Sequence, residues 1–432
     1  MRFQKPREIA VRVLLHREKG ADYVENVLDR ELPSLAPADR ALCQEIVYGV
    51  VRRQATLDWL IAQKTEGRAQ KTALQILLRL GLYQMFWLDR VPDHAAVNET
   101  VELARQMGFG PQSGFVNALL RGCARERDAV KKSLEELRTA HPHLGYSHPG
   151  WLCDRWRQRW GDGKLRQLLE WNNTPPKTYA RINTLKIDAG RLLEQWRNED
   201  VEYDFIRRDW FEENLIFELR SHPPLTELPS FQQGLFYIQD PGTLLAVSML
   251  DPQPGETVLD FCAAPGGKTT YMAQLMRNQG RVVAQERQYD RLPLLRENCE
   301  RLGATCAEVV RSDGPVFPEL NVHFDRVLVD APCSNTGVMR RRVDLRWRIR
   351  VEEIERLRAV QLELLNEAAS ILKPNGVLVY STCSLEPEEN GGVVNKFLAG
   401  HPEFKLESER ELLPFEDGVD GAFVGRLRKT PR

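Results

Sequence analysis

TVLDFCAAPGGKTTYMAQLMRNQGRVVAQE, residues 257–286, decides the fold class. A short apolar run closes on Asp260, two glycines follow at 266 and 267, an apolar stretch at helical spacing comes next, and a second short run, RVVAQ, ends at Glu286. Strand, tight turn, helix and strand in that order form a βαβ unit, whose two strands must be parallel. The alternation continues through DRLPLLRENCERLG, AEVVRSD, DRVLVDA, EEIERLRAVQLELLNEAASIL and GVLVYSTC. Residues 236–432 are therefore expected to form an α/β domain with a doubly wound parallel sheet.

Upstream the pattern changes. YARINTLKI, VEYDFIR and NLIFELR read as short strands with DAGRLLEQWRNE as a helix, a small α/β module within residues 146–235, entered through the linker-like HPHLGYSHPGW. Residues 1–145 keep helical periodicity throughout, in segments such as IAVRVLLH, ALCQEIVYGVVRRQATLDWLIAQ and HAAVNETVELARQMG. Turn formers such as DRVPD and GFGPQ separate them, and an all-helical domain follows.

The chain has 432 residues, 42% of them hydrophobic and 28% charged, with a net charge of −1. That balance excludes a polycation, so any nucleic-acid surface must be local. The start, MRFQKPREIA, lacks an apolar core, and the most apolar later stretch is interrupted by Arg79 and Gln84, so neither export nor membrane insertion is expected. None of the eight cysteines forms a CxxC pair. Free thiols in the cytoplasm are expected, with no metal site and no disulfide framework.

Between the first strand and helix of the α/β domain, Gly266 and Gly267 let the backbone turn tightly beside a helix start that suits a phosphate or a carboxylate. A GxxxxGK[ST] loop is ruled out by Cys262 in the first glycine position, and a GxGxxG loop by Ala264 and Thr269. A side chain at Gly267 is expected to meet the ligand. Carboxylates close the next three strands, at Glu286, Asp313 and Asp330. Two cysteines, Cys333 and Cys383, each follow a short apolar run, VLVD and VLVY, which places both thiols at strand C-terminal ends, where open α/β sheets bind ligands. Arg340, Arg341, Arg342, Arg346, Arg348 and Arg350 come just after Cys333, with Trp347 among them. Guanidinium groups grip phosphates and stack on bases, so this run is expected to contact RNA.

DFCAAPGGKTT, VLVDAPCSNTG and STCSLEPEEN together resemble the motifs of RNA 5-methylcytosine methyltransferases that use S-adenosylmethionine. YIQDP at 237–241, RINTLK at 181–186 and GAFVGRLRK near the C-terminus extend the resemblance, and FVNALLRG in the helical region is similar to a NusB-like RNA-binding domain. That domain order resembles the Sun/Fmu (RsmB) family of small-subunit ribosomal RNA methyltransferases. The resemblance implies a Rossmann-like methyltransferase domain and S-adenosylmethionine as cofactor. It implies that Cys262, Ala263, Ala264, Pro265, Gly266, Gly267 and Lys268 wrap the methionine part, Glu286 holds the ribose, Asp313 meets the adenine side and Asp330 lies near the reacting centre. Arg342-Val343-Asp344 stands where the family usually reads His-Pro-Asp.

Carbon 5 of cytosine is too weak a nucleophile to take a methyl group directly, but a thiolate added at carbon 6 makes it an enamine carbon. Attack and release are separate tasks, which two thiols can divide. A Pro-Cys motif carries the nucleophile in DNA enzymes, whereas the RNA enzymes resembled here use Thr-Cys, which implies attack by Cys383 and release assisted by Cys333. The target base must be unstacked to react, so single-stranded or loop RNA is the expected partner. Ribosomal RNA is the leading substrate; the same chemistry on transfer RNA or another RNA, or a non-catalytic RNA-binding role in ribosome assembly, are the alternatives.

Overall fold

The computed structural model describes residues 6–20, 22–311 and 323–431. The chain divides into two compact units, one made of Met1–Thr174 with Met339–Arg348 and the other of Pro175–Val338 with Ile349–Arg432.

The first unit is helical. Its main helices are Pro6–Glu18, Val24–Glu31, Pro37–Arg52, Gln54–Lys64, Thr72–Trp87, Asp93–Gln106, Ser113–Arg125, Arg127–Ala140 and Gly150–Asn173. One continuous helix was expected from Ala41 to Gln63, but it breaks at Arg53 (φ −109°, ψ 13°). The reason is tertiary: Ser147 Oγ accepts from the Ala55 N–H at 2.8 Å, and the Thr56 hydroxyl donates to the Leu144 carbonyl at 2.7 Å. HPHLGYSHPGW is accordingly not a linker. Tyr146, Ser147 and His148 are buried, and burial holds the His148 imidazole well below its usual pKa, hence neutral.

The arginine run does not form the exposed RNA-gripping stripe expected of it. Val343 packs in the helical core and Asp344 is fully buried, bonded to Arg17 Nε at 2.6 Å, Arg348 Nε at 2.8 Å and the Val24 N–H at 3.2 Å. Arg346 is fully buried and, among the described residues, donates only to neutral oxygens: Asn173 Oδ1, and the carbonyls of Asn172, Ser147 and Arg52. Arg340 lies 4.0 Å over the Trp171 ring, and Trp347 donates to the Val51 carbonyl. Arg342 and Arg350 are exposed. Arginine on sequence grounds alone reads as surface; here the guanidinium groups satisfy helix-end carbonyls inside the unit.

The second unit holds two sheets. The smaller comprises β1 (Thr178–Ile182), β2 (Glu202–Ile206), β3 (Ile216–Ser221) and β4 (Phe236–Ile238), all antiparallel in the order β2-β3-β1-β4. Trp196, on the helix between β1 and β2, packs edge-on to Phe217 and Phe236 at 5.4 and 5.3 Å. The larger sheet comprises β5 (Thr257–Asp260), β6 (Arg281–Glu286), β7 (Ala307–Arg311), β8 (Phe324–Asp330), β9 (Leu372–Thr382), β10 (Phe404–Leu412) and β11 (Ala422–Lys429), in the order β10-β11-β9-β8-β5-β6-β7. The strands from β5 to β9 are parallel, as the alternation requires, and β11 and β10 add an antiparallel edge. The order reverses at β5, between β6 and β8, and such a switch point opens a ligand crevice at the strand C-terminal ends. Asp260, Glu286 and Asp330 all stand there.

Candidate active site

The loop after β5 turns through Gly266, at φ +106°, where a side chain is strained and a Cβ would come within 3.0 Å of Leu295. Gly267 opens the helix Gly267–Leu275. A Cβ on Gly267 would sit 2.8 Å from the Tyr237 ring, so what first forbids a side chain there is β4 and not a ligand. The same junction holds a residue whose role was not read from the sequence. Arg181 on β1 is buried, and its Nη1 donates to the Gly267 carbonyl at 2.7 Å and to Gln239 at 2.6 Å, while Nη2 donates to Thr270 Oγ1 at 2.9 Å. Burial lowers its pKa to about 10, so it remains charged at neutral pH. The small sheet thus fixes the start of the helix that lines the crevice.

The rest of the loop is tied to its neighbours through backbone atoms. Ala263 N–H donates to the Gln285 carbonyl, the Ala264 carbonyl accepts from Arg291, and the Pro265 carbonyl accepts from Asn298. Glu286 accepts from the N–H groups of Ala264 (3.2 Å) and Gln288 (2.9 Å), which links the end of β6 to this loop. Cys262 is half-buried, and burial pushes its thiol far up. Lys268 Nζ donates to Asp330 Oδ2 at 2.6 Å, and Ser381 Oγ donates to Oδ1 at 2.6 Å. Burial works against the Lys268 charge, but Asp330 outweighs it and leaves the ammonium above its ordinary pKa. Asp313 lies outside the described residues.

β8 and β9 are parallel neighbours, paired through Asp330 and Ser381, and the chain leaves both toward the crevice. Cys333 and Cys383 consequently meet, sulfur to sulfur, at 3.2 Å. Cys383 donates to Asn335 Oδ1 at 3.0 Å. The hydrogen bond to Cys383, then burial, holds the Cys333 thiol well above the usual range.

Known proteins carry the same organisation. Residues 247–428 match the family model described as 16S rRNA methyltransferase RsmB/F, residues 4–125 the NusB family, and residues 148–218 the RsmF/B-like ferredoxin-like domain. The probable ribosomal RNA small subunit methyltransferase B of Bacillus subtilis (strain 168) is 35% identical over 452 aligned residues, covering 98% of both chains. The chain belongs to the RsmB/F methyltransferase family. Ribosomal RNA small subunit methyltransferase B of Klebsiella pneumoniae subsp. pneumoniae is 36% identical over 95% of both chains. The crystal structure of a methyltransferase homolog protein from Pyrococcus horikoshii is 34% identical with a TM-score of 0.59, covering 66% of this chain and 97% of that one.

The crevice of this RsmB/F family member fits an amino-acid-like cofactor. A helix start supplies N–H groups for a carboxylate. Asp260, at the end of β5, is fully buried; its Oδ2 accepts from Thr269 at 2.6 Å and its Oδ1 has no partner, which leaves an oxygen for an ammonium. Burial raises the Asp260 pKa from 3.8 to about 7. A carboxyl group with a raised folded-state pKa gives stability that is complete below the unfolded value and lost as pH rises through the folded one. Asp260→Asn in the ligand-free protein should therefore gain about 2–3 kcal/mol over wild type between pH 5 and pH 8, read as a shift in denaturation midpoint. A pH-independent difference would mean that the carboxylate is already compensated.

Proposed function

We propose that this protein methylates carbon 5 of a cytosine in small-subunit ribosomal RNA, with S-adenosylmethionine as methyl donor, Cys383 as nucleophile and Cys333 as the group that assists release. The observation that carries the proposal is the pair of thiols 3.2 Å apart at the ends of adjacent parallel strands, beside the glycine loop. Carbons 5 and 6 are bonded neighbours on one edge of the base, and only two groups this close can serve both.

Cys383 Sγ bonds to carbon 6, and the electron pair of the 5,6 double bond moves into the ring to make carbon 5 nucleophilic. S-adenosylmethionine supplies the methyl group that carbon 5 then takes. The carbon 5 proton passes to water with the assistance of Cys333, the double bond re-forms and Cys383 leaves carbon 6 as the thiolate that attacked. In this reading Asp330, held by Lys268 and Ser381, meets the cytosine N3/N4 edge. The loop 262–268, Glu286 and Asp313 hold the cofactor in this reading.

With it we propose that the chain works as three parts, residues 1–145, 146–235 and 236–432; the matched ranges 4–125, 148–218 and 247–428 fall one within each. We place the protein in the cytoplasm, where ribosomal RNA is made. The test is transfer of labelled methyl to purified RNAs. We expect 5-methylcytosine in small-subunit ribosomal RNA and none in transfer RNA or DNA. Label in transfer RNA alone would reassign the substrate, and no label in any RNA would leave a binding protein.

A further inference from the structure

Glu389 is fully buried, lies six residues beyond Cys383 in sequence, and has no part in the chemistry above. Its carboxylate is shared between the two cysteine loops. Oε1 accepts from the Ser334 N–H at 2.8 Å and from Gln361 Nε2 at 3.0 Å. Oε2 accepts from the Ser334 hydroxyl and from the Ser384 hydroxyl, the latter at 2.6 Å, and the two hydroxyls are themselves 3.0 Å apart. Ser334 is bonded to Cys333 in the chain and Ser384 to Cys383. Gln361 also donates to the Pro332 carbonyl, on the other side of Cys333. Among the described residues no Lys, Arg or His pairs with Glu389, so a desolvated carboxylate is held by neutral donors alone, and burial raises its pKa. An arrangement that disfavours a charge this much is costly as a fold device when apolar packing would serve. What it does that packing cannot is bind at one point four directed donors, three from two loops fifty positions apart in sequence and one from Gln361.

We propose that Glu389 is a positioning residue that fixes the Cys333 and Cys383 loops in mutual register, so that the two sulfurs reach adjacent carbons of one cytosine. The proposal rests on the covalent reading above. Misplacing a reacting group by about 1 Å costs roughly a hundredfold, and Glu389→Ala removes the carboxylate that accepts from both serines. Glu389→Gln keeps an oxygen for the two N–H donors and offers N–H groups to the hydroxyls, which can reverse direction.

The experiment uses full-length protein, S-adenosylmethionine and unmethylated small-subunit ribosomal RNA. Glu389→Ala should lose about a hundredfold in kcat with cofactor affinity unchanged, and Glu389→Gln should recover most of it. Ser334→Ala and Ser384→Ala each loosen one loop and remain informative if Glu389→Ala does not fold. Loosening the Cys333 loop slows release, so Ser334→Ala should accumulate a denaturation-resistant RNA adduct. Loosening the Cys383 loop slows attack, so Ser384→Ala should form less adduct than wild type. A folded Glu389→Ala with wild-type kcat, or two serine variants with the same adduct level, would overturn the role of Glu389. Cys333→Ala and Cys383→Ala run alongside separate the two levels of inference: absence of adduct from both overturns the covalent reading itself.

Discussion

Cys383→Ala should abolish methyl transfer, by at least about a thousandfold in kcat, and leave no covalent RNA complex, whereas Cys333→Ala should methylate its RNA and remain bonded to it. The two variants part because the sulfurs act at different times. Without Cys383 no bond forms at carbon 6, carbon 5 stays unreactive, and everything downstream is lost. Without Cys333 the attack proceeds, but departure of the carbon 5 proton is no longer assisted and the product stays attached through Cys383. Denaturing electrophoresis with labelled RNA reads the difference directly. The double variant should resemble Cys383→Ala, since release cannot matter before attack. Adduct trapped by Cys383→Ala and absent from Cys333→Ala would exchange the two roles. The 3.2 Å separation makes either assignment geometrically open, so this experiment and not the distance decides the order.

Asp344→Ala should destabilise the helical unit by about 3 kcal/mol or more, the cost of removing one partner from a buried ion pair and leaving the other uncompensated. Asp344 is fully buried and receives Arg17, itself nearly buried, as well as Arg348 and the Val24 N–H. For a unit of this size that loss lowers the melting temperature by about 10 °C. The neighbouring Arg342→Ala, at an exposed position, should change stability by less than about 0.5 kcal/mol. Calorimetry of the two full-length variants separates them. Equal melting temperatures would mean that Asp344 is not an anchor of the segment.

What could be read beforehand is what is local. The run from Val258 to Glu286 carries its strand, turn and helix signals in adjacent residues, and the spacing of Cys333 and Cys383 behind apolar runs was enough to bring two thiols to one sheet edge. What could not be read depends on partners remote in sequence. Six arginines after a catalytic loop look like an RNA grip; Trp171 and the carbonyls of Arg52, Ser147 and Asn172, remote in sequence, take up the buried Arg340 and Arg346, and Asp344 draws in Arg348. Gly267 was read as making room for a ligand, whereas Tyr237 from β4 fills that space. Arg181 and Glu389 stood inside quoted motifs, RINTLK and STCSLEPEEN, but a buried ion with neutral partners leaves no periodic or compositional trace. A signal did exist for Glu389: an acid so close behind a Thr-Cys-Ser turn is a poor choice for an apolar interior unless something holds it.

The helical unit contains Met339–Arg348, which lie well inside the methyltransferase half of the chain. A ribosome that has released Thr174 has therefore made a scaffold with a vacancy: Arg17 has no Asp344, and the place of Val343 in the core stands empty. At about 5–20 residues per second, the missing strip emerges roughly ten to thirty seconds later. The N-terminal part is translated first but completed late, and during that interval it is a natural client for whatever shields incomplete cores in the cell. The same interleaving means that the gene has no single cut that would release either half intact.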